Sequence, residues 1–280
     1  MLEFIYKGQT TTLIKAVISK YPSLSYSHLR TVLRKKDVLV DGVRVKDDVK
    51  ISDGSTIRLY TTIHTADNYE YKVDTVYEDD AIFIFNKPKG LEVEGDISLI
   101  TYAKRLCPTS QAVHRLDINT DGLIIVAKNE KIADILKIEI KNRRIEKHYV
   151  CAVYGRTGAA KRLESYLKKD AFNGMVKVYD KKVDGSVKII TEYTTIKSFS
   201  DYSVLDVNLI TGRTHQIRAH LAYVGHPILG DGKYGTCAIN SKFPFKKQAL
   251  TAYKLTFYTE GELGYLYGKT FKIDNKLLHL

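Results

Sequence analysis

The residues with the strongest chemical character sit in two short stretches about a hundred positions apart. The first is Val113-His114-Arg115-Leu116-Asp117-Ile118, followed by Asn119-Thr120-Asp121-Gly122 and a second apolar run, Leu123 to Ala127. Two apolar runs around such a turn predict two short strands joined by a tight loop. Asp117 is the odd residue in this pattern. A carboxylate between Leu116 and Ile118 costs several kcal/mol, roughly, unless something pairs with it. Taken alone it reads as a turn-capping aspartate. The second stretch, Leu209 to Leu221, outweighs that reading.

That second stretch reads as a strand end, a turn at Gly212, then a helix with Thr214 as N-cap. Ile217, Leu221 and Val224 fall at i, i+4 and i+7 and supply its buried stripe. Arg213, His215, Gln216, Arg218 and His220 crowd the first turns. A helix start loaded with arginine favours anions. Beside Asp117 it would also supply the guanidinium that keeps a poorly solvated carboxylate ionised. Arg218 is the first candidate for that partner; Arg213 is the second, and a phosphate contact. Other patterns fail on inspection. Gly230-Asp231-Gly232-Lys233-Tyr234-Gly235 matches a dinucleotide string, but no apolar helix follows it. His215 and His220 are five apart and do not face one metal.

Together the two stretches resemble the signatures of the pseudouridine synthase family that modifies ribosomal and transfer RNA, in the branch marked by His-Arg-Leu-Asp. The resemblance extends to Asn86-Lys87-Pro88-Lys89-Gly90-Leu91, Lys147-His148-Tyr149, and Gly225-His226-Pro227-Ile228-Leu229-Gly230-Asp231 with Tyr234-Gly235. These motifs stand in the family's order and cover roughly residues 73 to 260. One departure is Thr251, which stands where relatives carry histidine.

The resemblance implies an isomerase. The bond from ribose to the uracil nitrogen is broken, the base turned, and ribose joined to carbon 5. Nothing is oxidised and no group is transferred, so neither metal nor cofactor is expected. Asp117 takes the role of nucleophile or charge stabiliser, at the sugar or the base. Tyr149, which alone would read as one more core tyrosine, is implied to pack on the target base with its hydroxyl near a proton. A uridine in folded RNA must leave its stack, and Arg115 is expected to reach RNA there. His114 reads either as a structural hydrogen-bonder or as part of that wedge. Lys87, Lys147 and His215 complete the expected RNA contacts of this region. The expected substrate is large-subunit ribosomal RNA, with transfer RNA the alternative. The rivals are a non-catalytic RNA-binding or assembly protein and a base-excising glycosylase.

Composition bounds these readings. The chain has 280 residues, 44% hydrophobic and 27% charged, which are globular values with room for one large and one small domain. A net charge of +12 favours a polyanionic partner. Three scattered cysteines suggest no disulfide framework or paired zinc spacing and fit a reducing compartment. The first residues carry no signal-peptide pattern, and no apolar run approaches the ~18 residues of a membrane span. A cytoplasmic monomer with RNA as partner and no membrane is expected.

Residues 1–62 read as a unit of their own: a helix over Thr10 to Lys20, a second over Ser25 to Lys36, a hairpin around Asp41-Gly42, and a strand containing Ile57 and Leu59. This order resembles the small RNA-binding module named after the fourth ribosomal protein of the small subunit. It makes Arg30, Arg34 and Lys35 candidate RNA contacts. Residues 63–72 read as a linker and 73–280 as the catalytic domain. There, strands are expected near Thr75 to Tyr77, Ala81 to Phe85, Lys147 to Tyr154, Lys188 to Ile196, Tyr202 to Ile210, Leu250 to Tyr258 and Gly264 to Ile273. Asn129 should cap a helix, and hairpins should fill 157–186. The loop Asn86 to Gly90 should hold out Lys87 and Lys89. Many strands, few helices and no β-α alternation give an α+β fold class, with a mostly antiparallel mixed sheet of the pseudouridine synthase type and a small separate amino-terminal α+β domain.

Overall fold

The computed structural model describes residues 1–21, 24, 26–60, 72–170 and 174–280 and, at 27 and 28, the backbone only. The chain divides into two compact units, Met1–Tyr71 and Lys72–Leu280. Except for Lys72, the expected linker lies outside the described residues, as does Ser25, the expected start of the second helix.

The first unit holds β1 (Leu2–Ile5), β2 (Thr11–Thr12), α1 (Leu13–Lys20), α2 (Tyr26–Arg34), β3 (Val38–Val40), β4 (Val43–Val45), β5 (Lys50–Ile51) and β6 (Thr56–Leu59). Four strands form a sheet in the order β1-β6-β3-β4. Leu13, Val17, Leu29, Leu33, Val38, Ile57 and Leu59 make its core. In the β3–β4 turn Asp41 and Gly42 both have positive φ, +50° and +80°, the tight turn whose twist suits a hairpin. Asp41 also accepts a hydrogen bond from the Thr56 amide at 2.7 Å, so the turn is tied to β6. Thr11 and Thr12 pair with β5 and do not join α1 as expected.

The second unit is built on one sheet of β7 (Asp74–Glu78), β8 (Ile82–Lys87), β9 (Gln111–Ala112), β10 (Asp121–Ala127), β11 (Ile145–Tyr154), β12 (Ala160–Asp170), β13 (Met175–Tyr179), β14 (Val187–Ser198), β15 (Tyr202–Leu209), β16 (Leu250–Phe257) and β17 (Thr270–Lys272). The order is β13-β12-β14-β15-β11-β16-β10-β8-β7, with β17 on β16 and β9 on β10. The helices are α3 (Leu99–Leu106), α4 (Glu130–Lys141), α5 (Gln216–Tyr223) and α6 (Cys237–Asn240). Asn129 caps α4 by accepting from the Ile132 amide at 2.9 Å. On β8 and β10, Phe83, Phe85, Ile124 and Val126 face one core, while Ile82, Ile84, Leu123 and Ile125 face another. With both faces covered, these strands read as unbroken apolar runs.

The join between β10 and β16 is parallel and spans only Asp121↔Thr251 and Gly122↔Ala252. Gly122 has φ +112°, and a Cβ there would lie 2.1 Å from the Ala252 carbonyl oxygen. Gly122→Ala is therefore expected to lower stability by more than about 2 kcal/mol, read as a drop in the urea midpoint.

Two expected strands are corrected. Val113 to Ile118 is not a strand, because its polar groups bond elsewhere. His114 Nε2 accepts from the Ile125 amide at 3.0 Å, a donor that a strand partner would have used. The Ile118 carbonyl accepts from the Gly90 amide at 2.7 Å, and the Thr120 amide closes a turn on the Asp117 carbonyl at 2.9 Å. Over Gly264 to Ile273, a 3-10 segment (Gly261–Leu266) precedes the short β17.

Candidate active site

Asp117 sits on the loop before β10, with its side chain 14% exposed. Arg218, on α5, donates from Nη1 to Asp117 Oδ2 at 2.7 Å. The other edge of the guanidinium is held by Asp231: Nε donates to Oδ2 at 2.7 Å and Nη2 to Oδ1 at 2.9 Å. Asp231 Oδ1 also accepts from the amides of Lys233 (2.8 Å) and Tyr234 (3.2 Å). The Tyr234 ring lies 5.2 Å from the guanidinium carbon. Burial works against the charge on Arg218, but the two carboxylates outweigh it and raise its pKa further above the usual arginine value. A buried ion pair of this kind stands only when its charge is well answered, and here each guanidinium nitrogen donates to a carboxylate.

Asp117 opens into a cleft of ≈ 510 Å³ whose wall includes Tyr149. A register shift against β16 falls between His148 and Tyr149, the kind of bulge that re-aims a side chain. Tyr149 is buried; burial, with the Asp117 charge adding, pushes its phenol pKa up, so it stays protonated. The cleft rim carries Arg115, Lys137, Lys141, Arg143 and Arg213. Four of these five cations are exposed and have no carboxylate partner among the described residues; Lys137 pairs with Asp134. Such a rim attracts a phosphate backbone. A second cavity of ≈ 310 Å³ lies across the Asp117 loop, lined in part by Glu92, Glu94, Asn119 and Lys233.

Several expected contacts take different positions. Lys87 is fully buried and is not held out toward RNA: β8 continues through it, turning its side chain inward. Its ammonium donates to the carbonyls of Leu91 (2.8 Å), Pro88 (3.0 Å) and Ile118 (3.3 Å). That clips the Pro88–Leu91 loop to the residue after Asp117. Burial pushes its pKa down to about 8, against the pull of Asp121 and Asp117. Lys87→Met is expected to cost about 2 kcal/mol in urea unfolding while RNA affinity holds, which would separate a clip from a contact. Lys89 is also turned in, donating to the Gln248 carbonyl at 2.6 Å. His114 is the structural hydrogen-bonder described above; burial, helped by Lys147, pushes its pKa down to about 3. Lys147 lines the cleft but is buried, with its pKa pushed down to about 8. Arg213 does not pair with Asp117; Arg218 does.

The helix begins one residue later than expected, with His215 and not Thr214 at the N-cap. In place of a capping hydroxyl, buried Gln216 accepts from the Arg213 amide at 3.1 Å and from Thr211 Oγ1 at 2.9 Å. Thr251 joins a polar network under the turn. It donates to Asp121 Oδ1 at 2.7 Å and accepts from Asn275 Nδ2 at 2.9 Å. Asp231, Tyr234, Lys137, Lys141 and Arg143 were not singled out from sequence as site residues. The run Lys141-Asn142-Arg143-Arg144 at the end of α4 was the available signal for the rim.

The fold belongs to a known class of RNA-modifying enzyme. The solved structure of Human RNA Pseudouridylate Synthase Domain Containing 4 matches 73% of this chain and 90% of its own, with TM-score 0.60 at 21% identity. The model of the RNA pseudouridylate synthase family matches residues 81–223. The ribosomal large subunit pseudouridine synthase C of Vibrio cholerae serotype O1 is 31% identical over 73% of this chain and 70% of its own. The ribosomal large subunit pseudouridine synthase D of Neisseria meningitidis serogroup A is 29% identical over 95% of this chain and 77% of its own. The chain belongs to the RNA pseudouridylate synthase family and is an isomerase that converts uridine in RNA to pseudouridine. Among the described residues no helix is long and apolar enough to cross a membrane.

Proposed function

We propose that the chain modifies uridines of large-subunit ribosomal RNA in the cytoplasm, with Asp117 as its catalytic carboxylate. The observation that carries the reading is the one-sided ion pair at the cleft: Arg218 holds Asp117 Oδ2 at 2.7 Å, and among the described residues Oδ1 accepts no hydrogen bond. An ionised carboxylate with one fixed and one working oxygen can add to the sugar or base, or steady a developing cation. Tyr149 packs on the extruded base from the cleft wall. Arg115 and Arg213 meet the strand, with the α4 cations extending their reach. The relatives named for the large ribosomal subunit support that RNA as the substrate. The test is tritium release from large-subunit ribosomal RNA labelled at uracil carbon 5, with the RNA mass followed in parallel. Release at constant mass marks isomerisation; a loss equal to uracil would mark base excision and end this reading.

The amino-terminal unit serves as RNA grip through α2, whose end presents exposed Arg34 and Lys35, with Arg30 half-buried. Replacing all three with alanine is expected to weaken RNA binding and flatten the slope of log K against log salt by about 2, since each lost phosphate contact removes about 0.7. An unchanged slope would remove these residues from the interface.

A further inference from the structure

His215 lies at the N-cap of α5 with φ +54°, a left-handed conformation that a side-chain-bearing residue adopts at some strain. That backbone turn aims its imidazole at Asp117. Nε2 stands 3.9 Å from Asp117 Oδ1, too far for a hydrogen bond. Nδ1 is 2.9 Å from Tyr234 Oη, and Tyr234 Oη accepts from the Val176 amide at 2.9 Å. An amide can only donate. The phenol oxygen, having accepted there, has its own hydrogen free to give to Nδ1, and in that arrangement the neutral ring carries its proton on Nε2. In that tautomer the N–H stands on the side of the ring nearer Asp117, with Nε2 3.9 Å from Oδ1.

The surrounding charges fit a neutral donor. The groups facing the ring are Asp117, Arg218, Lys233 and Asp231; burial pushes the imidazole pKa down, and Asp117 only partly opposes it. Arg218 has Nη1 committed to Asp117 and Nε and Nη2 to Asp231. His215 lines both cavities and has Nε2 3.9 Å from Asp117 Oδ1, the oxygen that Arg218 does not hold.

We propose that His215 is a catalytic residue that donates, through Nε2–H, to the uracil carbonyl oxygen that gains charge when the base detaches. The inference rests on the isomerase reading of this site. As the bond from ribose carbon 1′ to uracil nitrogen 1 breaks, its electron pair stays with the base and spreads onto the carbonyl oxygens. No proton leaves His215: when carbon 5 bonds ribose carbon 1′ the pair is shared again, the hydrogen on carbon 5 departs as a proton, and nitrogen 1 takes one up from water. A fixed neutral donor stabilises that charge without drawing the proton toward Asp117. Tyr234 is the positioning residue that keeps the hydrogen on the correct nitrogen.

The test is single-turnover tritium release by the full chain, with RNA affinity measured separately. His215→Ala is expected to slow release by about 100-fold, in the range of one lost charge-stabilising donor, with affinity near wild type. His215→Gln restores most of the rate, because its amide N–H reaches the same place. Tyr234→Phe, which leaves His215 intact, slows release by less than the alanine variant. An alanine variant as fast as wild type, or one whose affinity falls as far as its rate, overturns the proposal. So does a glutamine variant no faster than alanine. Should the alanine variant not fold, Tyr234→Phe decides alone, and an unchanged rate there overturns it. A wild-type protein that binds RNA but releases no tritium would strike at the isomerase itself, whereas an active wild type with an indifferent alanine variant strikes only at His215.

Discussion

Asp117→Asn is expected to lower single-turnover tritium release by about 10,000-fold or more, the scale seen when a central catalytic group is removed. The substitution keeps the shape of the side chain and removes its charge. Arg218 loses one charge-assisted hydrogen bond but keeps its two-pronged hold on Asp231, so the cleft stays assembled. The stability change should therefore stay within about 1–3 kcal/mol. This pairing of a large kinetic loss with a modest shift in the urea midpoint is the signature of chemistry lost from an intact site. If the asparagine variant kept activity within tenfold of wild type, the carboxylate would not be the working group.

Asp231→Ala is expected to do the reverse, collapsing stability first and activity with it. Asp231 is buried and answers four donors, two on Arg218 and two backbone amides. Removing it strands a buried guanidinium and two amides, at about 3–5 kcal/mol. Burial pushes the Asp231 pKa up, but the hydrogen bonds and charge of Arg218 outweigh it, and the folded value lies below the usual carboxylate value. A depressed folded pKa stabilises fully above the unfolded value and is lost as pH falls through the folded one. Wild-type urea midpoints should therefore hold from pH 7 to about pH 4 and drop below it, while the alanine variant lacks that acid-side contribution. Equal midpoints for the two proteins at pH 7 would show that the clamp adds nothing.

What could be read from sequence was local. Asp117 and Arg218 stood out because a carboxylate in an apolar run and an arginine-loaded helix start are each visible within a dozen residues. The strand edges of β11, β14, β15 and β16 were legible from alternation and composition to within a residue or two. Asp231 and Tyr234 lay in a stretch weighed as a dinucleotide string and as a family motif but given no role, and nothing local tells that Asp231 faces Arg218. Lys87 was misread because lysines are rarely buried, and three carbonyls converging on one ammonium leave no mark in sequence. The α4 cations were passed over because an amphipathic helix is expected to turn its lysines to solvent. Val113 to Ile118 looked like strand because His114 was not recognised as a substitute partner for the Ile125 amide.

The parallel join between β10 and β16, two residue pairs long, has a consequence for how the enzyme handles its target. Asp117 hangs from the β10 side of that join, while Arg218 and Ala219 ride on α5, which packs over β12, β13 and β14 on the far side. The ion pair is therefore a latch between two leaves, and its alignment registers how they are set. An RNA that grips both leaves at once would bear on that alignment from outside.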